Sequence, residues 1–282
     1  MRIIVKNDKK SVFAWIFAFV LAILWLLIAL LPFLYMVLNS FKGQFEMLVD
    51  GIYSMPKALD LENYANVIAG GFFGYLLRSV IVTSVSLAAM VLLSAFASYP
   101  LSRMKFKLRG FLYGLIIACM SIPMHVTLIP VFKMTTASGL YDTIWALPGP
   151  NVAFAIPMSV FILTNFMKGI PVEIEQAAEI DGCGKYRTFF EIIVPLSKAG
   201  ISTLCIYNGI NFWNEFAFVK TLTQSVKAQT LPMAINNFKG EHSANIPVIL
   251  AVLALSALPM IIMFSILQDK LVKGMTAGSV KG

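Results

Sequence analysis

Charged residues are scarce in this sequence, and their scarcity excludes most classes of soluble protein. Only 13% of the 282 residues are charged, whereas 59% are hydrophobic. Soluble domains usually carry about 25% charged residues, so this chain lacks the polar groups that a water-facing surface of its size needs. We therefore expect much of its surface to face lipid. The net charge of +8 does not indicate a nucleic-acid partner, because the basic residues are spread between apolar runs instead of forming one patch.

Cysteine and histidine are also rare, and the few present do not form reactive groupings. The three cysteines are isolated, so they predict neither a disulfide framework nor a zinc site. His125 and His242 lie far apart, and we predict no metal ligand and no catalytic residue. The sequence also lacks a P-loop, the pattern of Gly, four residues and Gly-Lys-Ser/Thr that binds nucleotide phosphates. We therefore expect this chain to bind no cofactor of its own.

Long apolar runs are abundant, and they predict an all-α membrane protein. A membrane helix needs about 20 mostly apolar residues to cross the hydrocarbon layer. Residues 1–282 are predicted to form a single membrane domain with six such helices. The predicted spans are 13–38, 74–100, 111–132, 146–167, 198–219 and 246–267.

The distribution of lysine and arginine predicts how the chain is oriented. With the N-terminus inside, 15 of these residues lie in inner segments and 7 in outer ones. Because cytoplasmic loops are enriched in Lys and Arg, this bias predicts that both termini are cytoplasmic. It also places residues 168–197, the longest inner connection, on the cytoplasmic side.

The loop 168–197 has the signals of a short helix followed by a turn. Pro171 suits a first helical position, and Glu173 and Glu175 suit the positive end of the helix dipole. Gly182 stands where a left-handed residue commonly ends a helix. These signals predict a helix over 171–181 of about 16 Å.

A second helix is predicted immediately after this turn. Tyr186, Phe189, Phe190 and Ile193 follow helical spacing and predict one apolar face, and Pro195 ends the pattern. On composition alone two interpretations stay open. The loop is either a lever that docks on another surface, or a structured loop that packs only on its own helix bundle.

The same segment resembles the cytoplasmic EAA loop of permease subunits from ATP-binding-cassette (ABC) importers. The positions that match the motif are Ala177, Ala178, Asp181, Gly182, Phe189, Pro195 and Leu196. Gln176 departs from it, because the family places Glu directly before the two alanines. The resemblance implies a type I ABC-importer permease fold, in which this coupling loop docks on an ATPase subunit.

Other segments extend the resemblance along most of the chain. Residues 61–64 (Leu-Glu-Asn-Tyr) resemble a segment of the first outer loop, and residues 213–216 (Trp-Asn-Glu-Phe) resemble carbohydrate-type permeases. Residues 273–282 resemble the end of the shorter permease subunit of maltose-type importers. The resemblance thus implies the carbohydrate branch, and a cytoplasmic tail, 268–282, that reaches the ATPase subunits through Thr276, Ala277 and Gly278.

The resemblance also implies the partners and the residues that contact them. They are a second permease, two ATPase subunits that bind ATP and Mg, a solute-binding protein outside a bacterial-type cell membrane, and membrane lipid. The residues implied in ATPase coupling are Glu175, Gln176, Ala177, Ala178, Glu179, Asp181 and Gly182. A bulky residue at Gly182 is expected to uncouple ATP hydrolysis from transport or to prevent assembly.

Polar residues in the fifth predicted span suggest where a solute passes. Asn208, Asn211 and Glu215 share one helical face, and Tyr207 and Trp213 lie nearby. Amides suit sugar hydroxyls and aromatic rings suit stacking, so the hypothesis is that this face lines the solute path. The alternative is that the amides bond neighbouring helices, which is common in membrane bundles.

Other functions stay open. Similar permeases handle polyols and glycerol phosphates, so these are the second candidate solutes. A secondary transporter often shows inverted repeats and a binding site near the midplane, and neither is evident. A membrane-embedded enzyme needs a catalytic grouping within the spans, which these isolated histidines and cysteines do not supply.

Overall fold

A computed structural model describes residues 9–238 and 245–279, with side chains described for residues 12–238 and 245–266. Within this part the chain is helical and has no β-strand. Its helices are α1 (Lys9–Asn39), α2 (Gln44–Asp50), α3 (Glu62–Ala69), α4 (Phe72–Arg103), α5 (Arg109–Ala118), α6 (Leu128–Ala137), α7 (Pro148–Lys168), α8 (Val172–Ile180), α9 (Lys185–Thr188), α10 (Val194–Leu196), α11 (Lys198–Trp213), α12 (Ala217–Leu222), α13 (Leu231–Phe238) and α14 (Ile246–Ser279). Short 3-10 turns cover Cys119–Ser121, Met124–Thr127 and Ile144–Ala146, and a π-helix covers Phe189–Ile193.

Four helices of the described chain are long and apolar enough to cross a membrane, and the number rises to the predicted six if each of two bent helix pairs forms one span. The four helices are Val12–Asn39, Phe72–Arg103, Ile144–Lys168 and Ile246–Ile266. The two pairs are bent by 91° and 68° at short breaks, Arg109–Ser121 with Met124–Ala137 and Lys185–Leu196 with Lys198–Trp213. Every helix bonds its own backbone groups, which is the requirement for crossing a layer without water.

The bend in the third predicted span has a local cause. Ile122 and Pro123 both have extended backbone, with ψ of 115° and 128°. Proline disfavours helical geometry in the residue before it, so the chain leaves the helix at Ile122. The prediction of one continuous helix over 111–132 was therefore wrong.

The fifth predicted span is also shorter than expected. We predicted a helix over 198–219, but α11 ends at Trp213 and α12 begins at Ala217. The Glu215 carboxylate accepts hydrogen bonds from the backbone N–H groups of Phe218 and Val219, at 2.9 and 3.1 Å. These bonds satisfy amides in the first turn of α12 that have no partner within the helix.

The chain divides into two compact units, of which the first comprises residues 1–70 and 238–255. In this unit the side chains of α1 from Val12 to Leu34 are exposed. A helix that is apolar on all sides belongs against lipid or other membrane helices. After α1 the chain is fixed by Asn63, which donates from its amide to the backbone carbonyls of Ser40 and Lys42, at 2.9 and 2.8 Å.

The second unit comprises residues 71–237 and 256–282, and its core lies between α4, α7 and α11. Met90, Leu163 and Leu204, one from each helix, are fully buried. Membrane helices associate through close packing more than through the hydrophobic effect, which favours small residues at their contacts. Gly200 is one of these, because a Cβ at this position would lie 2.7 Å from the ring of Phe166.

Asp142 joins two loops of the second unit. Its carboxylate accepts hydrogen bonds from the backbone N–H groups of Ser225 and Gln224, each at 2.7 Å. Both bonds stabilise the charged form and so lower the pKa of Asp142 from its ordinary value. The bond from Ser225 has the larger effect, followed by that from Gln224. The loop between α6 and α7 is thereby fixed to the loop after α12.

Helix α8 occupies the place where the sequence predicts the first helix of loop 168–197. It starts one residue later than predicted, because Pro171 has an extended ψ of 136°. It ends at Ile180, one residue before the predicted end, and the predicted turn follows with Gly182 in the left-handed region at φ +81°. The Cys183 N–H donates to the Ala178 carbonyl at 2.9 Å, which satisfies one of the last carbonyls of the helix.

Replacing Gly182 by alanine is expected to destabilise this turn through backbone strain alone. A Cβ at Gly182 would meet nothing within 4 Å, so no clash contributes. A left-handed conformation costs a residue with a Cβ about 1–2 kcal/mol. The free energy of unfolding, measured in mixed micelles, should fall by about that amount.

Gly184 provides a matched control two residues away. It also has open space around its Cβ position, but its φ is −69°. Gly184→Ala should therefore change the free energy of unfolding by less than about 0.5 kcal/mol. Equal losses in the two variants would show that the positive φ is not what requires glycine at position 182.

Candidate functional site

Helix α8 has one face turned to the protein and one face turned outward. Ala178 is buried, at 4% exposure, and the Glu175 side chain is 19% exposed. The other residues that the sequence assigns to coupling are exposed: Gln176, Ala177, Glu179, Asp181 and Gly182. The short Ala177 side chain lies among the exposed residues and leaves space for the close approach of another surface.

Two large apolar side chains near α8 are unusually exposed. Ile180, at the end of the helix, is 87% exposed, and Tyr186, after the Gly182 turn, is 83% exposed. Isolated exposed apolar residues are common on proteins, but these two lie only six positions apart in the loop that the sequence assigns to coupling. The outward side of this loop thus combines apolar and acidic groups.

Glu175 makes an ion pair with the end of α4. Its Oε1 atom lies 2.8 Å from Nε of Arg103, whose side chain is 7% exposed. Arg103 also donates from Nη2 to the backbone carbonyl of Ile170, at 2.7 Å. The positive-inside rule alone accounts for a basic residue at position 103. These contacts give Arg103 a structural role as well, which a count of charges does not reveal.

The second arm of the loop differs from the predicted amphipathic helix. Residues Phe189–Ile193 form a π-helix, which changes the spacing of the side chains. Phe189 and Ile193 are buried as predicted, whereas Tyr186 is exposed and Phe190 is 49% exposed. The prediction of a single apolar face over these four residues was therefore wrong.

A cavity of about 620 Å³ lies beside α11 in the second unit. All three residues of the predicted solute path, Asn208, Asn211 and Glu215, line it. They meet there although Glu215 lies beyond the end of α11, because the chain turns around Glu215 into α12. Tyr207 also lines the cavity, whereas Trp213 is buried at 8% exposure and is not among the lining residues.

The three predicted residues differ in how far their polar groups are already used. Asn208 is buried and donates to Ser159 Oγ at 3.3 Å and to the Leu204 carbonyl at 3.1 Å. It therefore behaves as the alternative hypothesis describes, since it joins neighbouring helices. The side chain of Asn211 is exposed to the cavity, and its amide makes no hydrogen bond with any other described residue.

Sequence reasoning missed three polar residues of the cavity: His125, Asn151 and Asn214, of which Asn214 donates to the Ile210 carbonyl at 2.9 Å. His125 and Asn151 come from other segments of the chain, yet both line it with Asn211 and Glu215. A polar side chain within a predicted span usually faces a bundle interior or a wet cavity, and both residues lie within predicted spans. Their position within a predicted span therefore indicated a wet cavity, but we considered His125 only as a metal ligand or a catalytic residue.

The remaining predictions concern the tail and Arg78, which lies near one end of the second predicted span and is expected from the sequence to extend toward the lipid interface. Arg78 donates from Nε to the Gln229 carbonyl at 2.6 Å, and its guanidinium lies 4.9 Å from the Tyr75 ring centre. It is therefore bound to protein and does not reach away toward a lipid interface. The backbone of Thr276, Ala277 and Gly278 continues α14, but their side chains and residues 280–282 lie outside the described part of the chain.

Comparisons with known proteins find relatives that match most of this chain. A family model described as "binding-protein-dependent transport system inner membrane component" matches residues 90–277. The putative ABC transporter permease protein ORF2 of Caldicellulosiruptor sp. (strain Rt8B.4) is 48% identical over 278 residues, which are 99% of each chain. The melibiose/raffinose/stachyose import permease protein MelC of Bacillus subtilis (strain 168) is 30% identical over 254 residues, 89% of this chain and 91% of MelC.

A solved structure shows that the fold is shared as well. A chain in the crystal structure of a bacterial ABC transporter involved in the import of the acidic polysaccharide alginate matches with a TM-score of 0.80. The match covers 93% of this chain and 98% of that chain at 20% sequence identity. This chain therefore has the type I permease fold and belongs to the family of inner-membrane components of binding-protein-dependent transport systems.

Proposed function

We propose that this chain is the permease subunit of an ABC importer that moves a sugar or oligosaccharide. In this assignment it forms the solute path with a second permease, and two ATPase subunits bind and hydrolyse ATP with Mg. A solute-binding protein delivers the solute from outside. The observation that carries the proposal is the exposed, capped helix α8, found in a chain whose full-length relatives are named as ABC permeases.

The outward face of α8 is the proposed contact with an ATPase subunit. The Lys and Arg distribution, 15 on one side and 7 on the other, supports the proposal that this loop and both termini are cytoplasmic. Gln176 cannot make the ion pair that a glutamate at this position would make, but its amide both donates and accepts hydrogen bonds. The tail residues Thr276, Ala277 and Gly278 are proposed to contact the same ATPase subunits.

The cavity beside α11 is the proposed solute path. Its volume of about 620 Å³ lies within the range of about 300–1,000 Å³ that is typical of small-molecule sites. Asn211 and Asn151 offer amides, and Tyr207, Phe154 and Phe216 offer aromatic rings. Hydroxyl-rich solutes need both kinds of group. The name of MelC, which specifies melibiose, raffinose and stachyose, supports the same class of solute.

A glycerol phosphate or another phosphate ester fits this cavity less well. Among the described residues that line it, Glu215 is acidic and none is Lys or Arg. Phosphate sites in proteins usually supply positive charge or several converging donors. A neutral sugar is therefore favoured over a phosphorylated polyol as the solute.

Purification from the native membrane tests the proposed function directly. A tagged copy of the chain, extracted in mild detergent, is expected to retain an ATPase subunit and a second permease. A solute-binding protein trapped with the complex should carry a sugar that mass spectrometry identifies. Reproducible absence of any ATPase subunit from intact complexes would reject the ABC assignment.

Asn211→Leu tests whether the cavity contacts the solute. The loss of a hydrogen bond to the solute costs about 0.5–1.5 kcal/mol, which corresponds to a rise of about two- to tenfold in the KM for uptake. The measurement is uptake into proteoliposomes of the solute released from the co-purified binding protein. Asn165→Leu is the control, because Asn165 is an exposed amide of α7 that does not line the cavity. Unchanged uptake and unchanged solute preference in Asn211→Leu would remove Asn211 from the path.

A further inference from the structure

The ion pair between α8 and α4 is shielded from water, unlike the other pair in loop 168–197. Arg103 and Glu175 are 7% and 19% exposed, whereas Arg187 and Glu191 are 63% and 59% exposed. Both pairs have a separation of 2.8 Å. An exposed pair contributes little to structure, but loss of one partner from a shielded pair leaves an uncompensated charge. Removal of either Arg103 or Glu175 alone is therefore costly, although the contact between Nε and Oε1 is an ion pair without hydrogen-bond geometry.

Arg103 also makes a second contact, for which the fork of a guanidinium is better shaped than the compact ammonium group of a lysine. Its Nη2 atom donates to the Ile170 carbonyl, directly before Pro171 and α8. The planar guanidinium presents several donors in fixed directions, so one side chain contacts both the helix and the chain that enters it. The start of α8 is thus fixed in position and in direction relative to α4.

The same end of α4 contacts the second arm of the loop through aromatic rings. Phe96 and Tyr99 lie on the face that carries Arg103, at helical spacing. The ring of Phe189 lies 5.4 Å from that of Phe96 and 5.1 Å from that of Tyr99. One face of α4 therefore holds both α8 and the π-helix that follows it.

Helix α4 also connects to the cavity through buried side chains. Met90 of α4 accepts a hydrogen bond at its sulfur from Ser159 Oγ, at 3.2 Å. Ser159 in turn accepts the bond from Asn208, which lines the cavity. Helix α4 contacts α8 at one end and this buried set further along, with Pro100 between them, so it forms a continuous connection through which a displacement can pass.

We propose that Arg103 is a positioning residue that fixes the coupling helix α8 to α4. When ATP binding to the ATPase subunits displaces α8, this attachment transmits the displacement to the solute cavity. This inference rests on the proposed function, since it requires an ATPase subunit at α8. It assigns Glu175 to the inner contact with Arg103. The exposed residues Gln176 and Glu179 are then the polar groups of α8 that meet the ATPase.

The test measures the response of the cavity to ATP without needing the solute. The assembled transporter, with its own cysteines replaced by serine, carries Ala217→Cys, since Ala217 lines the cavity. The rate of labelling by a methanethiosulfonate reagent is measured with and without MgATP, beside the rate of ATP hydrolysis. Glu175→Gln and Arg103→Gln should reduce the ATP-dependent change in labelling by about twofold or more, because residues in direct contact are energetically coupled.

The exposed pair supplies the control, and reversal of charges supplies the rescue. Glu191→Gln removes a carboxylate from the same loop and should leave the ATP-dependent change intact. Arg103→Glu combined with Glu175→Arg should restore part of the change. If the single variants fail to assemble with the ATPase, recovery of assembly by the reversed pair supports the proposal, and no recovery contradicts it.

The outcomes separate this inference from the proposed function. If the parent protein carrying Ala217→Cys binds no ATPase or shows no response to MgATP, the proposed function fails. If that protein responds and Glu175→Gln responds equally, the proposed function stands and the role of Arg103 is overturned.

Discussion

The absence of water from the membrane interior is the constraint on which this structure depends. Every peptide group that enters the hydrocarbon needs a hydrogen-bond partner within the protein, so the described chain is helical. Where a helix is interrupted, other groups of the protein must bond the backbone. The break after α11 shows how this works. The chain leaves the helix at Asn214, and the Glu215 carboxylate then supplies acceptors for two N–H groups of α12. The same turn places a carboxylate at the cavity.

The relation between the cavity and loop 168–197 follows from the way α4 is held. Its Arg103 end is bound to α8, and its middle is bound to α7 through Met90 and Ser159. Conformational change driven by a ligand requires that the ligand favour one arrangement of the protein over another. A partner that grips the exposed face of α8 has such an effect only if α8 cannot move independently of the spans. The Arg103 contacts supply that restriction.

The sequence predicted features that depend on local chemistry and missed those that depend on contacts between distant segments. Span positions follow from composition, and the turn at Gly182 follows from the conformational freedom of glycine, so both were predictable. The π-helix at Phe189 was not, because helical spacing assumes a constant period. The partnership of Arg103 with Glu175 joins residues 72 positions apart in sequence. Counting Lys and Arg on each side of the membrane predicts orientation, but it does not reveal which side chains pair with each other.

Site-specific cross-linking from α8 tests the central claim most directly, namely that this helix meets an ATPase in the cytoplasm. A photoreactive residue at Ala177, in the intact complex in its native membrane, should cross-link to an ATPase subunit. The same residue at Ser225, which the charge distribution predicts to lie on the opposite side, should not. Cross-linking of the ATPase from Ser225 and not from Ala177 would contradict both the orientation and the coupling role of α8.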